Sequence, residues 1–165
     1  MNLYEILDKR SCQVDIQAKT KDEVIAHMAE LAVKGEAASG VSADTIRTAI
    51  AERESQGSTA FGNEIAIPHA RIPGMDRFLL FILSSTKGVD FNALDKKKVK
   101  LLFVILGPPD AVNEHLKILA FVSRALSHTD LKRELLAARS ETVLFEAFLR
   151  NTQEDRSGAT PTRVM

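Results

Sequence analysis

Two apolar runs constrain this chain more than anything else in it: Phe78 to Leu83 and Val99 to Leu106, built almost wholly from Phe, Ile, Leu and Val. Each is strand length, far short of the roughly 20 apolar residues that a membrane-spanning helix needs. A strand that is apolar on both faces is buried on both, so the two runs predict central strands of one sheet with helices packed on either side. At 165 residues the chain is long enough for one such domain and too short for two.

The covering helices can be read from caps and stripes. Thr20 followed by Glu23 has capping-box spacing, in which the hydroxyl accepts from an orphan N–H and the carboxylate reaches back. Behind it Val24, Met28 and Leu31, with Ile25, Ala29 and Ala32, form an apolar stripe that should stop near Gly35. A second helix is expected from Ser42 to about Gln56, with Ile46, Ala49 and Ile50 inward and Gly57 beyond its end. A third should start at an Asp110 or Asn113 cap after Gly107-Pro108-Pro109 and run to about Ser127, burying Leu116, Leu119, Ala120 and Leu126. Two shorter helices follow, from about Asp130 to Ala138 and from a Ser140 cap through Phe148. A short amphipathic opening (Leu3, Ile6, Leu7) precedes Cys12, Val14 and Ile16, which alternate with polar neighbours as a half-buried strand would, and there is room for short strands around Thr59 and Phe91. The expected architecture is α/β: a single mixed β-sheet flanked by helices on both faces, over residues 1–150. Residues 151–165 hold almost nothing to bury and read as a disordered tail.

Composition narrows the function. Lys plus Arg and Asp plus Glu both total 22, so no global field draws in nucleic acid or anionic membrane. The lysines at 96, 97 and 98 lie at a turn and read as a solvated face. A single cysteine, Cys12, excludes an intramolecular disulfide framework and any thiolate-rich metal cluster, which fits a reducing cytoplasm. The opening Met1-Asn2-Leu3-Tyr4-Glu5 lacks the basic flank and apolar core of a signal peptide, and no direct membrane insertion is expected.

Chemistry is concentrated between the second helix and the first apolar run. Gly57-Ser58-Thr59-Ala60-Phe61-Gly62-Asn63-Glu64 is a turn-rich loop leading into Ile65-Ala66-Ile67-Pro68-His69-Ala70. Pro68 has no N–H to donate and cannot easily continue a central strand, so His69 should sit at a strand end. Of the four histidines, His27 and His128 read as structural or exposed, whereas His115 falls in the first turn of the third helix. His69 and His115 could be two zinc ligands, yet no further histidine or cysteine stands at ligand spacing. Ser58 or Thr59 could be a nucleophile with His69 as base, but there is no G-x-S-x-G elbow, and the glycine loop lacks the lysine of a P-loop. A simpler chemistry needs fewer parts. A neutral imidazole can itself accept a phosphoryl group when its other nitrogen is held by a hydrogen bond and donors surround the added oxygens; Arg53, Ser58, Thr59 and His115 are the right residue types for those donors.

The stretch from Arg53-Glu54-Ser55-Gln56-Gly57-Ser58-Thr59 through Pro68-His69-Ala70 resembles the signature of the fructose/mannitol (type 2) enzyme IIA domains of the bacterial phosphoenolpyruvate-dependent phosphotransferase system, and Asn113-Glu114-His115-Leu116 resembles the same family's second histidine motif. The resemblance covers roughly residues 3–150. It implies a phosphotransferase component whose His69 takes a phosphoryl group, on Nε2, from the histidine-containing phosphocarrier protein, with His115 beside it, Arg53 near the incoming phosphate, Ser58 and Thr59 as phosphate-binding donors, and neither metal nor cofactor. It also implies a second partner: a regulatory target in the nitrogen-related branch, or a permease B domain in the sugar branch. Arg71-Ile72-Pro73-Gly74 resembles the regulatory branch more. Ala60 and Glu64 stand where family members commonly have glycine; Glu64 would place a carboxylate before the active histidine and could alter docking. Phe61, Ile72 and Met75 are candidates for an apolar ring around His69 that keeps water from the transferred group.

Overall fold

The computed structural model describes residues 3–127 and 129–162, with side chains for all of these except Phe61, Thr129 and residues 153–162. Among the described residues five strands, β1 (Ala60–Gly62), β2 (Ile65–Ala66), β3 (His69–Arg71), β4 (Leu79–Val89) and β5 (Val99–Gly107), make one mixed sheet. The two apolar runs are its middle. β5 pairs antiparallel with β4, from Leu79↔Leu106 to Ser84↔Leu101. Along its other edge it pairs parallel first with β2 (Ile65↔Leu101) and then with β3 (His69↔Ile105). β4 runs on to Val89, past the run that predicted it, and no strand forms at Phe91.

Pro68 interrupts the edge strand as its missing N–H requires. Between β2 and β3 the Ile67 N–H donates to the Thr59 carbonyl (3.1 Å), while the Pro68 carbonyl still accepts from Ile105 (2.9 Å). β1 folds back on β2 through Asn63 and Glu64, both at positive φ (56° and 69°), the geometry of a two-residue hairpin turn whose second position favours glycine. The strand expected over Cys12, Val14 and Ile16 reduces to isolated parallel bridges, Leu7↔Leu80 and Gln13↔Leu83, along the free edge of β4. Asp15, at φ 50°, breaks the extended run that a ladder would need.

The helices are α1 (Leu3–Ile6), α2 (Lys21–Ala32), α3 (Ala43–Ser55), α4 (Val112–Leu126), α5 (Thr129–Ala137) and α6 (Glu141–Thr162). Thr20 and Glu23 make the full capping box on α2, and the Ser42 hydroxyl caps α3. α2 and α3 pack on each other and against β4 and β3, while α4, α5 and α6 form a second group over β5 and β4, so helices cover both faces. α4 departs from expectation in two ways. Its N-cap is Ala111, with no side-chain cap bond from Asp110 or Asn113. Its buried face is His115, Ile118, Val122, Ala125 and Leu126, which leaves Leu116 59% exposed. α6 continues beyond Phe148, and Thr152 is buried with its hydroxyl donating to the Phe148 carbonyl (2.9 Å). The tail expected over 151–165 lies, beyond Thr152, outside the residues whose packing is described, as does His128.

Candidate active site

The end of α3, the start of β3 and the first turns of α4 meet in a cleft of about 420 Å³ whose polar lining includes Arg53, His69, Arg71 and His115. Three separate stretches of sequence thus converge, and β5 is the reason. His69 opens β3 opposite Ile105, and β5 ends two residues later at Gly107, from which the chain turns into α4 and His115.

His69 is half-buried, with Nδ1 2.8 Å from the Ile67 carbonyl. A carbonyl oxygen only accepts, so Nδ1 carries the proton and the neutral ring keeps its lone pair on Nε2. Burial pulls the imidazole pKa below its usual value, the Arg53 charge adds to this, and the Ile67 bond and the Glu54 charge oppose it. Lowering the pKa favours the neutral form of the ring.

His115 is 6% exposed and its Nε2 has no hydrogen-bond partner. Burial, with the charges of His69 and Arg71, pushes its pKa down to about 4. Phe78 meets the ring edge-on, centroids 4.9 Å apart. Gly107 makes room for that contact, since a Cβ there would come within 2.3 Å of the Phe78 ring. An unpaired buried polar nitrogen costs about 1–3 kcal/mol. Arg53 donates Nη1 to the Gly57 carbonyl (2.9 Å), and Arg71 reaches the Pro109 carbonyl at 3.4 Å.

Ser58 and Thr59 are not brought into this cleft. The Ser58 hydroxyl donates to the Phe91 carbonyl (2.6 Å), and the Thr59 hydroxyl donates to the Glu54 carboxylate. The expected apolar ring is also different: Ile72 (0% exposed) and Met75 (4%) are core, the Phe61 side chain is outside the described residues, and the apolar rim is made by Val112, Leu116 and Leu119 of α4 with Ala49 of α3. Glu64 lies at the far end of β5, five residues from the His69 register and so about 16 Å away at the usual strand rise. Partial burial pushes its carboxyl up, but ion pairs with Lys100 and Lys132, both at 3.3 Å, more than offset this and hold it below the usual carboxylate range. Sequence reasoning did not single out Arg71 as a site residue; its alternation with His69 along β3 was the available signal. Among the described residues no group of three or more His, Cys, Asp or Glu side chains is gathered as a metal site would need, and no helix is long and apolar enough to cross a membrane.

A half-buried histidine with a fixed tautomer thus lies beside Arg53, Arg71 and His115 at the edge of a mixed sheet. The chain belongs to the phosphoenolpyruvate-dependent sugar phosphotransferase system EIIA 2 family, whose model matches residues 5–151. It is 38% identical over 125 residues to a fructose-specific EIIA component from Haloferax volcanii, covering 76% of this chain and 80% of that protein. It is 34% identical over 146 residues to a nitrogen regulatory protein from Pseudomonas aeruginosa, covering 88% and 94%. The crystal structure of nitrogen regulatory protein IIA-Ntr from Neisseria meningitidis superposes with a TM-score of 0.81 at 27% identity, over 88% of this chain and 98% of that one. The protein is therefore a phosphotransferase-system phosphoryl carrier of the EIIA type.

Proposed function

We propose that Nε2 of His69 takes the phosphoryl group from the phosphohistidine of the histidine-containing phosphocarrier protein, in the cytoplasm. The observation that carries this reading is the bond from His69 Nδ1 to the Ile67 carbonyl, which leaves Nε2 with the lone pair in a cleft lined by Arg53, Arg71 and His115. The Nε2–P bond forms as the donor's N–P bond breaks. The donor imidazole, protonated on its other nitrogen, takes the electron pair of that bond and leaves as a neutral ring, and His69 becomes an Nε2-phosphorylated imidazolium whose Nδ1–H still donates to the Ile67 carbonyl. Charge spreads over three equatorial oxygens in the transition state, so the protein's work is alignment and donation. Arg53 and Arg71 supply charge, and His115 lines the same cleft as a ring nitrogen donor. Incubation with phosphoenolpyruvate, enzyme I and the phosphocarrier should add one acid-labile phosphoryl group by intact mass; full labelling of His69→Ala would overturn the assignment.

The output we propose is regulatory, in the nitrogen-related branch: phosphorylation of His69 changes the charge and desolvation cost of the face on which a target protein docks. The near-complete superposition on a nitrogen regulatory IIA supports this. The identity to the fructose-specific EIIA component supports the second reading, delivery to a permease B domain. Rapid discharge of label onto a purified fructose- or mannitol-type B domain, with no partner distinguishing the two phosphorylation states in a pull-down against His69→Ala, would favour delivery.

A further inference from the structure

A buried charge pair lies behind the cleft. Glu54 is 6% exposed and follows Arg53 in α3; its Oε1 lies 2.8 Å from Nζ of Lys21 in α2, which itself sits 4.7 Å over the Phe91 ring. Such pairs add little to stability, because desolvating both charges offsets most of their attraction, and apolar residues of similar volume serve a core as well. What this pair does is hold Thr59. The Thr59 N–H donates to Glu54 Oε1 (3.2 Å) and the Thr59 hydroxyl to Oε2. The Thr59 carbonyl accepts from the Ile67 N–H, and the Ile67 carbonyl accepts from His69 Nδ1.

We propose that Glu54, held by Lys21, is a positioning residue that sets the tautomer of His69 through Thr59 and Ile67. The need for it comes from Pro68. In the one register that β2 and β3 share on β5, the N–H of residue 68 would face β5, but proline has none. The peptide unit that carries the Ile67 carbonyl is therefore not tied to the sheet through its nitrogen, while the Ile67 N–H goes to Thr59. The Ile67 carbonyl thus stands beside the histidine with the peptide before it anchored on the loop and the Pro68 carbonyl after it anchored on β5. A histidine in water prefers its proton on Nε2, the form that would block the nucleophilic nitrogen; only a carbonyl fixed against Nδ1 reverses that preference. The same network explains why both loop hydroxyls face inward: the Ser58 oxygen, besides donating to Phe91, accepts from the Ala60 N–H (3.1 Å), so the loop's side chains hold its shape.

This inference rests on His69 being the acceptor, and its test reads the ring before any phosphoryl transfer. Imidazole ¹⁵N shifts of the unphosphorylated full chain, recorded above the titration of His69, should show Nδ1–H alone. Glu54→Gln replaces one accepting oxygen with an amide donor, and Thr59→Val removes the hydroxyl while leaving the Lys21–Glu54 pair intact. Both should add an Nε2–H population and slow labelling by about tenfold, the lower end of what losing an orienting partner costs. Thr59→Ser should restore the wild-type pattern. Leu144→Ala, a cavity in the buried face of α6, serves as a control destabilised without touching the relay. A wild-type ¹⁵N pattern in Thr59→Val and in Glu54→Gln overturns the proposal, as does an equal shift in Leu144→Ala; if Glu54→Gln does not fold, Thr59→Val decides. A tautomer shift in these variants alongside full labelling of His69→Ala would leave the relay standing and remove the acceptor reading.

Discussion

His115 lines the cleft, has a buried ring nitrogen with no hydrogen-bond partner, and has a pKa held down to about 4 against an ordinary 6.5. Below pH 6.5 the unfolded chain takes up a proton that the folded ring refuses. Stability should therefore be flat with respect to this group above pH 6.5 and fall as the pH drops toward 4, by about 3 kcal/mol, since each tenfold difference in proton affinity is worth about 1.4 kcal/mol. His69, whose pKa is lowered in the same direction, adds to the loss. Urea unfolding of wild type and His115→Gln at pH 7 and pH 4.5 isolates the contribution: the variant should lose less on acidification, and identical losses would refute it. In transfer, His115→Ala should be slower by about 10² to 10³, the scale of one oriented transition-state donor. Arg53 has one arm of its guanidinium on the Gly57 carbonyl, which closes the last turn of α3 and leaves the remaining donors for an anion. Arg53→Lys keeps the charge without the fork and should recover only part of the rate lost in Arg53→Ala at saturating phosphocarrier; equal rates for all three would reduce Arg53 to a helix cap.

At the scale of elements, α4 has two jobs on opposite sides. Its inner face packs on β5, and its outer face offers Leu116 and Val112 (45% exposed) at the cleft rim. Leu116→Glu should leave unfolding within about 0.5 kcal/mol of wild type, as exposed substitutions do, while raising the phosphocarrier concentration needed for half-maximal labelling. Where β5 gives way to α4, Gly107→Ala drives a methyl into the Phe78 ring, and overpacking of this kind costs about 1–3 kcal/mol. Because Phe78 supports His115, that variant should also slow transfer, whereas Thr20→Ala, which removes the α2 capping box for about 1 kcal/mol, should slow nothing. Transfer at the normal rate in Gly107→Ala would detach Phe78 from the site.

For the molecule as a whole, the sheet is closed by contacts between distant elements. Phe103 of β5 and Phe148 of α6 are both fully buried with ring centroids 5.7 Å apart. Phe148→Ala should cost about 3–5 kcal/mol, a large part of what a domain of this size has, while Leu94→Ala, at a position 97% exposed, should cost almost nothing. Chemical denaturation of the two variants checks both figures.

The amino-acid sequence alone carried the features that depend on near neighbours. Apolar runs marked β4 and β5, Thr20 with Glu23 marked the start of α2, Ser42 marked α3, and Pro68 marked the break before His69, because each is a matter of local hydrogen bonding or of burying both faces of a strand. The residue types suited to a phosphoryl acceptor and its donors were legible for the same reason. The tertiary structure alone decided which of those donors meet. The phase of α4 is set by packing on β5, which turned His115 inward and Leu116 outward against the expected stripe. Ser58 and Thr59 are drawn away from the cleft by Phe91 and Glu54, partners 33 and 5 residues away in sequence. Glu64 is separated from His69 by the length of β5, and Arg71 is brought to the site by its register beside Gly107. Side-chain direction at a helix face, a loop and a strand end is settled by packing and pairing in three dimensions, which hydrophobic periodicity and cap spacing do not contain.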